Sequence, residues 1–118
     1  MNTEGLVGRI LYRITDENDD LQLHLDNGEI VYFDATGDCC SESWVEHIDS
    51  PQKPEKIVQI QEIQISGYEP TEYKKKSKES IDVLDCYFYQ IVTEGGSYLI
   101  ELRNDSNGYY GGWLERRN

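Results

Sequence analysis

The beginning of the chain alternates apolar and polar side chains with a period of two. Residues 10–15 carry apolar side chains at Ile10, Tyr12 and Ile14, and residues 21–25 have leucine at every second position. This spacing is typical of a strand with one buried face, because successive side chains of a strand point to opposite sides. We therefore expect the chain to begin with two strands that share one core.

A tight turn follows the second of these strands. Asn27 and Gly28 form a dipeptide that readily adopts the positive φ angles of a hairpin turn. Residues 29–33 then resume an apolar pattern and are predicted to return as a third strand. A short helical turn is expected before the first strand, at residues 6–9.

The remainder of the chain shows similar apolar segments separated by polar ones. Further strands are predicted at residues 44–48, 83–93, 97–103 and around 109–114. Polar connections are predicted at residues 16–20, 34–43, 68–80 and 104–108, with a frayed tail from residue 115.

Residues 57–66 allow two interpretations. Ile57, Ile60 and Ile63 have a helix-like spacing of three, whereas Ile63 and Ile65 alternate. The richness in β-branched residues and the flanking proline and glycine favour a strand.

Together these segments predict a mainly β domain, or a β-dominated α+β domain. It would be an antiparallel meander of six to eight strands with at most one or two short helical turns. The length of 118 residues suits a single domain. We expect residues 5–115 to form its ordered part and the Lys-rich connection at 68–80 to be mobile.

Charge narrows the classes of function. The chain has 11 Lys and Arg against 23 Asp and Glu, a net charge of −12. Such a field repels phosphate backbones, so a nucleic-acid partner is not expected.

No apolar run approaches the roughly 20 residues that a membrane span needs, and the beginning of the chain does not resemble a signal peptide. We expect a cytoplasmic protein with no membrane partner.

The first segment with candidate chemistry is Asp38-Cys39-Cys40, followed by Glu42 and His47. Thiol and imidazole groups are zinc ligands, and a cysteine paired with a histidine can act as a nucleophile. Adjacent cysteines project in different directions, however, and nearby carboxylates disfavour a thiolate. We therefore assign no catalytic residue, metal or cofactor here, and keep a Cys/His metal site or thiol enzyme as an alternative.

The second segment surrounds a glycine-rich turn near the end of the chain. It contains Asn107, Tyr109, Tyr110 and Trp113. Rigid amphipathic rings of this kind are favoured at recognition surfaces, because they bury area at a low cost in entropy. The alternative is a tight turn whose tyrosines cap the end of the sheet.

These segments resemble a family of short uncharacterised bacterial and phage proteins. The resemblance rests on the Asp-Cys-Cys loop at 38–40, the Ser-Asn-Gly-Tyr-Tyr loop at 106–110 and the opening Leu-Val-Gly-Arg at 6–9. In this chain Ser41 stands where an acidic residue often follows the cysteines, and Glu42 comes one place later. The resemblance implies a β-rich domain of bacterial or phage origin and no particular reaction.

The sequence thus favours a non-enzymatic interaction domain of an accessory protein, with another protein as its partner. A second hypothesis treats the acidic chain as a mimic of nucleic acid. The candidate surface consists of Asp38, Cys39, Cys40, Glu42, His47, Asn107, Tyr109, Tyr110 and Trp113.

Overall fold

The structure of the chain, a computed structural model, describes residues 1–18, 20–38, 41–64, 83–106 and 111–117. The described strands are β1 (Ile10–Glu17), β2 (Asp20–Leu25), β3 (Ile30–Gly37), β4 (Glu42–Ile48), β5 (Glu55–Ile63), β6 (Val83–Thr93), β7 (Ser97–Ser106) and β8 (Gly112–Arg117). The described helical structure is a single 3₁₀ turn at Asp26–Gly28, too short to cross a membrane. The predicted mainly β class is confirmed.

The strands form one antiparallel sheet in the order β4-β7-β6-β5-β1-β2-β3-β8. Two runs of consecutive hairpins, β1-β2-β3 and β5-β6-β7, make up most of it. They are joined where Ile10 and Leu11 of β1 pair with Lys56 and Glu55 of β5. The edge strands β4 and β8 pair with strands distant in sequence, β7 and β3.

The sheet curls around one hydrophobic core, to which every strand contributes. The core residues are Leu6, Leu11, Ile14, Leu21, Leu23, Leu25, Val31, Phe33, Val45, Ile57, Tyr89, Ile91, Ile100, Leu102 and Leu114. Curling brings the β3–β8 edge against the β4–β7 edge, so that Gly112 of β8 packs on Ser43 of β4. A strongly twisted sheet can enclose a core in this way without helices.

The hairpin between β2 and β3 has the geometry that its sequence predicts. Asn27 and Gly28 have φ angles of 61° and 72°. The Leu25 N–H donates to the Glu29 carbonyl at 2.8 Å and closes the turn. A non-glycine residue other than Asn or Asp rarely adopts such angles, so this turn depends on its two central residues.

A β-bulge in β1 changes which side chains of that strand are buried. The pairing with β2 shifts register between Leu11 and Arg13, so Tyr12 is an extra residue. Leu11 and Ile14 are buried, whereas Tyr12 is 49% exposed. The prediction that Ile10, Tyr12 and Ile14 share the buried face is therefore wrong.

Two further bulges have the same effect. Register shifts occur between Val45 and His47 in β4 and between Ile57 and Gln59 in β5. In β5 the shift turns both Ile57 and Ile60 toward the core. The predicted strand in this region is confirmed, and the helix-like spacing of three is a consequence of the bulge.

Parts of three segments predicted as loops or tail are strands in the structure, and Asp16, Glu17 and Asp20 of the predicted connection at 16–20 also lie in strands. β3 continues to Gly37, β7 to Ser106 and β8 to Arg117. The reason is strand pairing, since β8 pairs with β3 over its whole length and β7 pairs with β4 as far as Asp105. Backbone hydrogen bonds hold these polar stretches although their side chains carry no strand pattern. The predicted mobile connection at 68–80 lies outside the described residues.

Candidate functional site

The two candidate segments are joined by a pair of hydrogen bonds between Asp38 and Gly111. The Asp38 N–H donates to the Gly111 carbonyl at 3.1 Å, and the Gly111 N–H donates to Asp38 Oδ2 at 3.3 Å. Beside them, Gly37 of β3 pairs with Gly112 of β8. Asp38 and Gly111, which border the two candidate segments, are therefore in direct contact.

Small residues and a buried amide pack closely beside Asp38 and Gly111. Asn104 is fully buried and its Nδ2 donates to Ser43 Oγ at 2.8 Å. A Cβ on Gly112 would lie 2.4 Å from Ser43 Oγ, and one on Gly37 would lie 2.5 Å from Ser41 Oγ. We call this group the loop junction; it consists of Gly37, Asp38, Ser41, Ser43, Asn104, Gly111 and Gly112.

Asn104 carries an unsatisfied buried group at the loop junction. Within the described part of the chain its Oδ1 has no hydrogen-bond partner. A buried carbonyl without a partner costs about 1–3 kcal/mol, so this group lowers the free energy of unfolding of the chain.

The structure places the described candidate residues at different distances from the junction. Asp38 belongs to it, and Glu42 opens β4 next to it, opposite Asp105 of β7. Trp113 follows Gly112 in β8 and is 37% exposed. Cys39, Cys40, Asn107, Tyr109 and Tyr110 lie outside the described residues.

His47 lies apart from this group. It is five residues along β4 from Glu42, a distance of about 16 Å in an extended strand. Its exposed imidazole Nε2 lies 3.0 Å from Asp49 Oδ1. His47 therefore forms a local pair with Asp49 at the far end of β4.

The chemistry available to thiols and metals is limited in the described part of the chain. There, no three His, Cys, Asp or Glu side chains lie close enough to hold a metal ion. Cys86 is free and half-buried, and burial raises the pKa of its thiol. A thiol of this kind is a poor nucleophile at neutral pH, since the thiolate is the reactive form.

A buried ionic cluster on β7 and β4 is not predicted by the sequence. Arg103 Nε lies 2.7 Å from Glu101 Oε2, and Arg103 Nη1 lies 3.4 Å from Glu46 Oε1. Arg103 is 3% exposed. Charged residues are seldom buried, so a strand reading Glu-Leu-Arg predicts an exposed polar face. Nothing in the local pattern distinguishes this strand from an ordinary edge strand.

Comparison with known proteins places this fold in a family. A family model described as a domain of unknown function, DUF7448, matches residues 4–114. The uncharacterized protein L278 of Acanthamoeba polyphaga mimivirus is 32% identical over 93 residues, which cover 79% of this chain and 72% of that protein. No solved structure matches the chain significantly. The expected membership of an uncharacterised family is confirmed, and the chain belongs to the DUF7448 family of domains of unknown function.

Proposed function

We propose that the chain is a non-enzymatic protein-interaction domain of a bacterial or phage accessory protein and acts in the cytoplasm. Its binding surface would be formed by the two turns that flank the loop junction. The observation that supports this proposal is the pair of hydrogen bonds between Asp38 and Gly111, two residues that border the candidate segments and are 73 positions apart in sequence.

Anchoring the turns favours binding because it lowers the entropy lost on association. A loop whose ends are already fixed loses less conformational entropy when it becomes ordered against a partner. Gly37 pairs with Gly112 next to one end of each candidate segment, and the Asn104–Ser43 hydrogen bond joins β7 to β4 beside them. This arrangement supports recognition by the turns and by the exposed Trp113 beside them, since tryptophan is enriched among residues that dominate binding energy.

The charge of the chain indicates what the partner surface should be like. With a net charge of −12, the domain attracts basic surfaces and repels acidic ones. A partner with a basic patch would associate faster at low ionic strength than at high ionic strength.

The position of His47 weighs against a joint Cys–His site at the junction. A nucleophile and its base, or two ligands of one metal, must converge within a few ångströms. His47 is separated from Glu42 by about 16 Å along β4 and is paired with Asp49. An interaction domain therefore accounts for the junction better than a thiol enzyme does.

The proposal can be tested with a photoreactive phenylalanine analogue placed at position 113 or, as a control, at position 58. Val58 is 51% exposed on β5, away from the loop junction. In cells that produce the chain, irradiation should give a discrete protein adduct from position 113 and none from position 58. Identical adducts from both positions, or none from position 113, would rule out the proposed surface.

A further inference from the structure

The bulge in β1 presents two neighbouring side chains beside a histidine. Because the register shifts between Leu11 and Arg13, Tyr12 is an extra residue, and Arg13 lies opposite His24 of β2. His24 in turn lies opposite Ile30 of β3. Tyr12 and Arg13 are both exposed, and they line the same concavity as His24. Bulges often re-aim side chains in this way next to binding sites.

Arg13 differs from the other described arginines in its polar contacts. The other described arginines make polar contacts, which are Arg9 with Asp26 and Glu29, Arg103 with Glu101 and Glu46, Arg116 with the Glu4 carbonyl, and Arg117 with Asp20 and Asp34. Within the described residues, Arg13 makes neither a salt bridge nor a side-chain hydrogen bond. In a chain of charge −12, an unpaired guanidinium with its fork of donors is available to an oxyanion.

A chain of hydrogen bonds sets the protonation of His24. Gln22 Nε2 donates to Glu17 Oε2 at 3.2 Å, and Gln22 Oε1 accepts from Thr15 Oγ1 at 3.1 Å. Because the Thr15 hydroxyl has donated its proton, its oxygen accepts from His24 Nε2 at 2.8 Å. Nδ1 is therefore the ring nitrogen that can take a second proton. Burial, and then the charge of Arg13, lower the pKa of His24.

Tyr12, Arg13 and His24 line a surface concavity of about 430 Å³. Ile30 and Leu25 give it an apolar part, and the turn at Asn27 forms one wall. Glu29 also lines it, but its carboxylate is offset by Arg9, whose Nη2 lies 2.8 Å from Glu29 Oε2. The size falls within the range of small-ligand sites, roughly 300–1,000 Å³.

We propose that this concavity binds a small ligand in which an oxyanion is attached to a planar ring. Arg13 pairs with the oxyanion, Tyr12 stacks on the ring, and His24 gains a proton on Nδ1 as the negative charge arrives. The site is independent of the proposed interaction surface. Ile30 and Gly37 are seven residues apart, so the concavity and the loop junction lie about 23 Å apart along β3.

The test is an NMR titration of the whole chain with phenyl phosphate, read at the two histidine side chains. His24 should show a saturable shift with a Kd below about 1 mM and a raised pKa, while His47 remains unchanged and serves as an internal control. Arg13→Gln should weaken binding at least fivefold. Lys56→Gln, which removes one exposed positive charge from β5, should leave it as in the wild type.

Two further ligands test the recognition of the oxyanion and the recognition of the ring separately. Comparing the affinities for benzoate and phenyl phosphate shows whether a carboxylate or a phosphate is the preferred oxyanion. Inorganic phosphate has the oxyanion without the ring. Phenyl phosphate should bind more tightly than inorganic phosphate, and Tyr12→Ala should abolish that difference. No saturable shift at His24 with any of the three ligands would overturn the site, and equal affinities for phosphate and phenyl phosphate would overturn the role of Tyr12.

Discussion

Asn104 of β7 and Ser43 of β4 meet across the two strands, with Asn104 Nδ2 donating to Ser43 Oγ at 2.8 Å. Two glycines make this contact possible. A side chain at Gly37 or Gly112 would collide with the serine, the amide or both. The curled sheet can therefore close only where these two positions lack a Cβ.

Gly112→Ala should destabilise the chain by about 1–3 kcal/mol. The added methyl group would lie 2.4 Å from Ser43 Oγ, and moving the hydroxyl would leave the buried Asn104 amide unsatisfied. Urea unfolding measures the change. Gly96→Ala is the matched control, because a Cβ there meets nothing closer than 3.7 Å. Equal effects of the two substitutions would refute tight packing at the junction.

Arg103→Ala should cost about 3–5 kcal/mol of unfolding free energy. It would leave Glu101 buried beside Glu46 without the guanidinium that lies 2.7 Å and 3.4 Å from them. Arg13→Ala, which removes an exposed guanidinium that has no ion-pair partner among the described residues, should change stability by no more than about 0.5 kcal/mol. Comparable unfolding curves for the two variants would show that the buried cluster contributes little.

Glu55 should make the stability of the chain depend on pH in the acid range. Hydrogen bonds from Thr93 Oγ1, at 2.6 Å, and from the Tyr98 hydroxyl hold the pKa of Glu55 below its ordinary value of 4.5. A lowered pKa means that the stabilisation is complete above pH 4.5 and is lost as the pH falls through the lower, folded-state value. Chemical unfolding at a series of pH values should show a shallower acid decline for Glu55→Gln. Glu62→Gln, on the exposed side of β5, should retain the wild-type decline, and identical curves for both variants would contradict this role of Glu55.

Tyr89 should produce the opposite dependence in the alkaline range. Burial raises the pKa of Tyr89 to about 12 from an ordinary value of 10. Its contribution is complete below pH 10 and is lost as the pH rises toward 12, because the unfolded chain releases the proton more readily. Tyr89→Phe should flatten the alkaline loss of stability, whereas Tyr12→Phe, at an exposed ring, should not. A flattened curve for Tyr12→Phe alone would be incompatible with a buried Tyr89.

The sequence predicts the class of the fold well because strand periodicity and turn chemistry are local properties. The turn at Asn27 and Gly28 is an example, since its positive φ angles follow from the residue types alone. β-Bulges interrupt the alternation of buried and exposed side chains on which the prediction of strands depends. Leu11 and Ile14 are both buried although they are three residues apart, because Tyr12 is inserted between them. A spacing of three within a β-rich sequence can therefore indicate a bulge as well as a helix.

The candidate site could be predicted only in part. The neighbours of Asp38 and Trp113 in sequence point to a site, whereas the polar residues around Asn104 predict a loop there. Its burial follows from β7 pairing with both β4 and β6, which is a long-range property. Nothing in the sequence marks Arg13 as a site residue, since its exposure beside His24 depends on the bulge and on the register of β1 with β2.

The most direct test of the account is the affinity of the Asp38→Ala variant for the protein that crosslinks at position 113, measured by titration calorimetry. Removing the carboxylate abolishes the bond from the Gly111 N–H and leaves only the bond from the Asp38 N–H to the Gly111 carbonyl, which should loosen both candidate segments. We therefore expect a Kd at least about tenfold higher than that of the wild type. Glu115→Ala, at an exposed carboxylate of β8, is the control and should bind as the wild type does. A folded Asp38→Ala variant with wild-type affinity would contradict the claim that the loop junction holds the binding surface together.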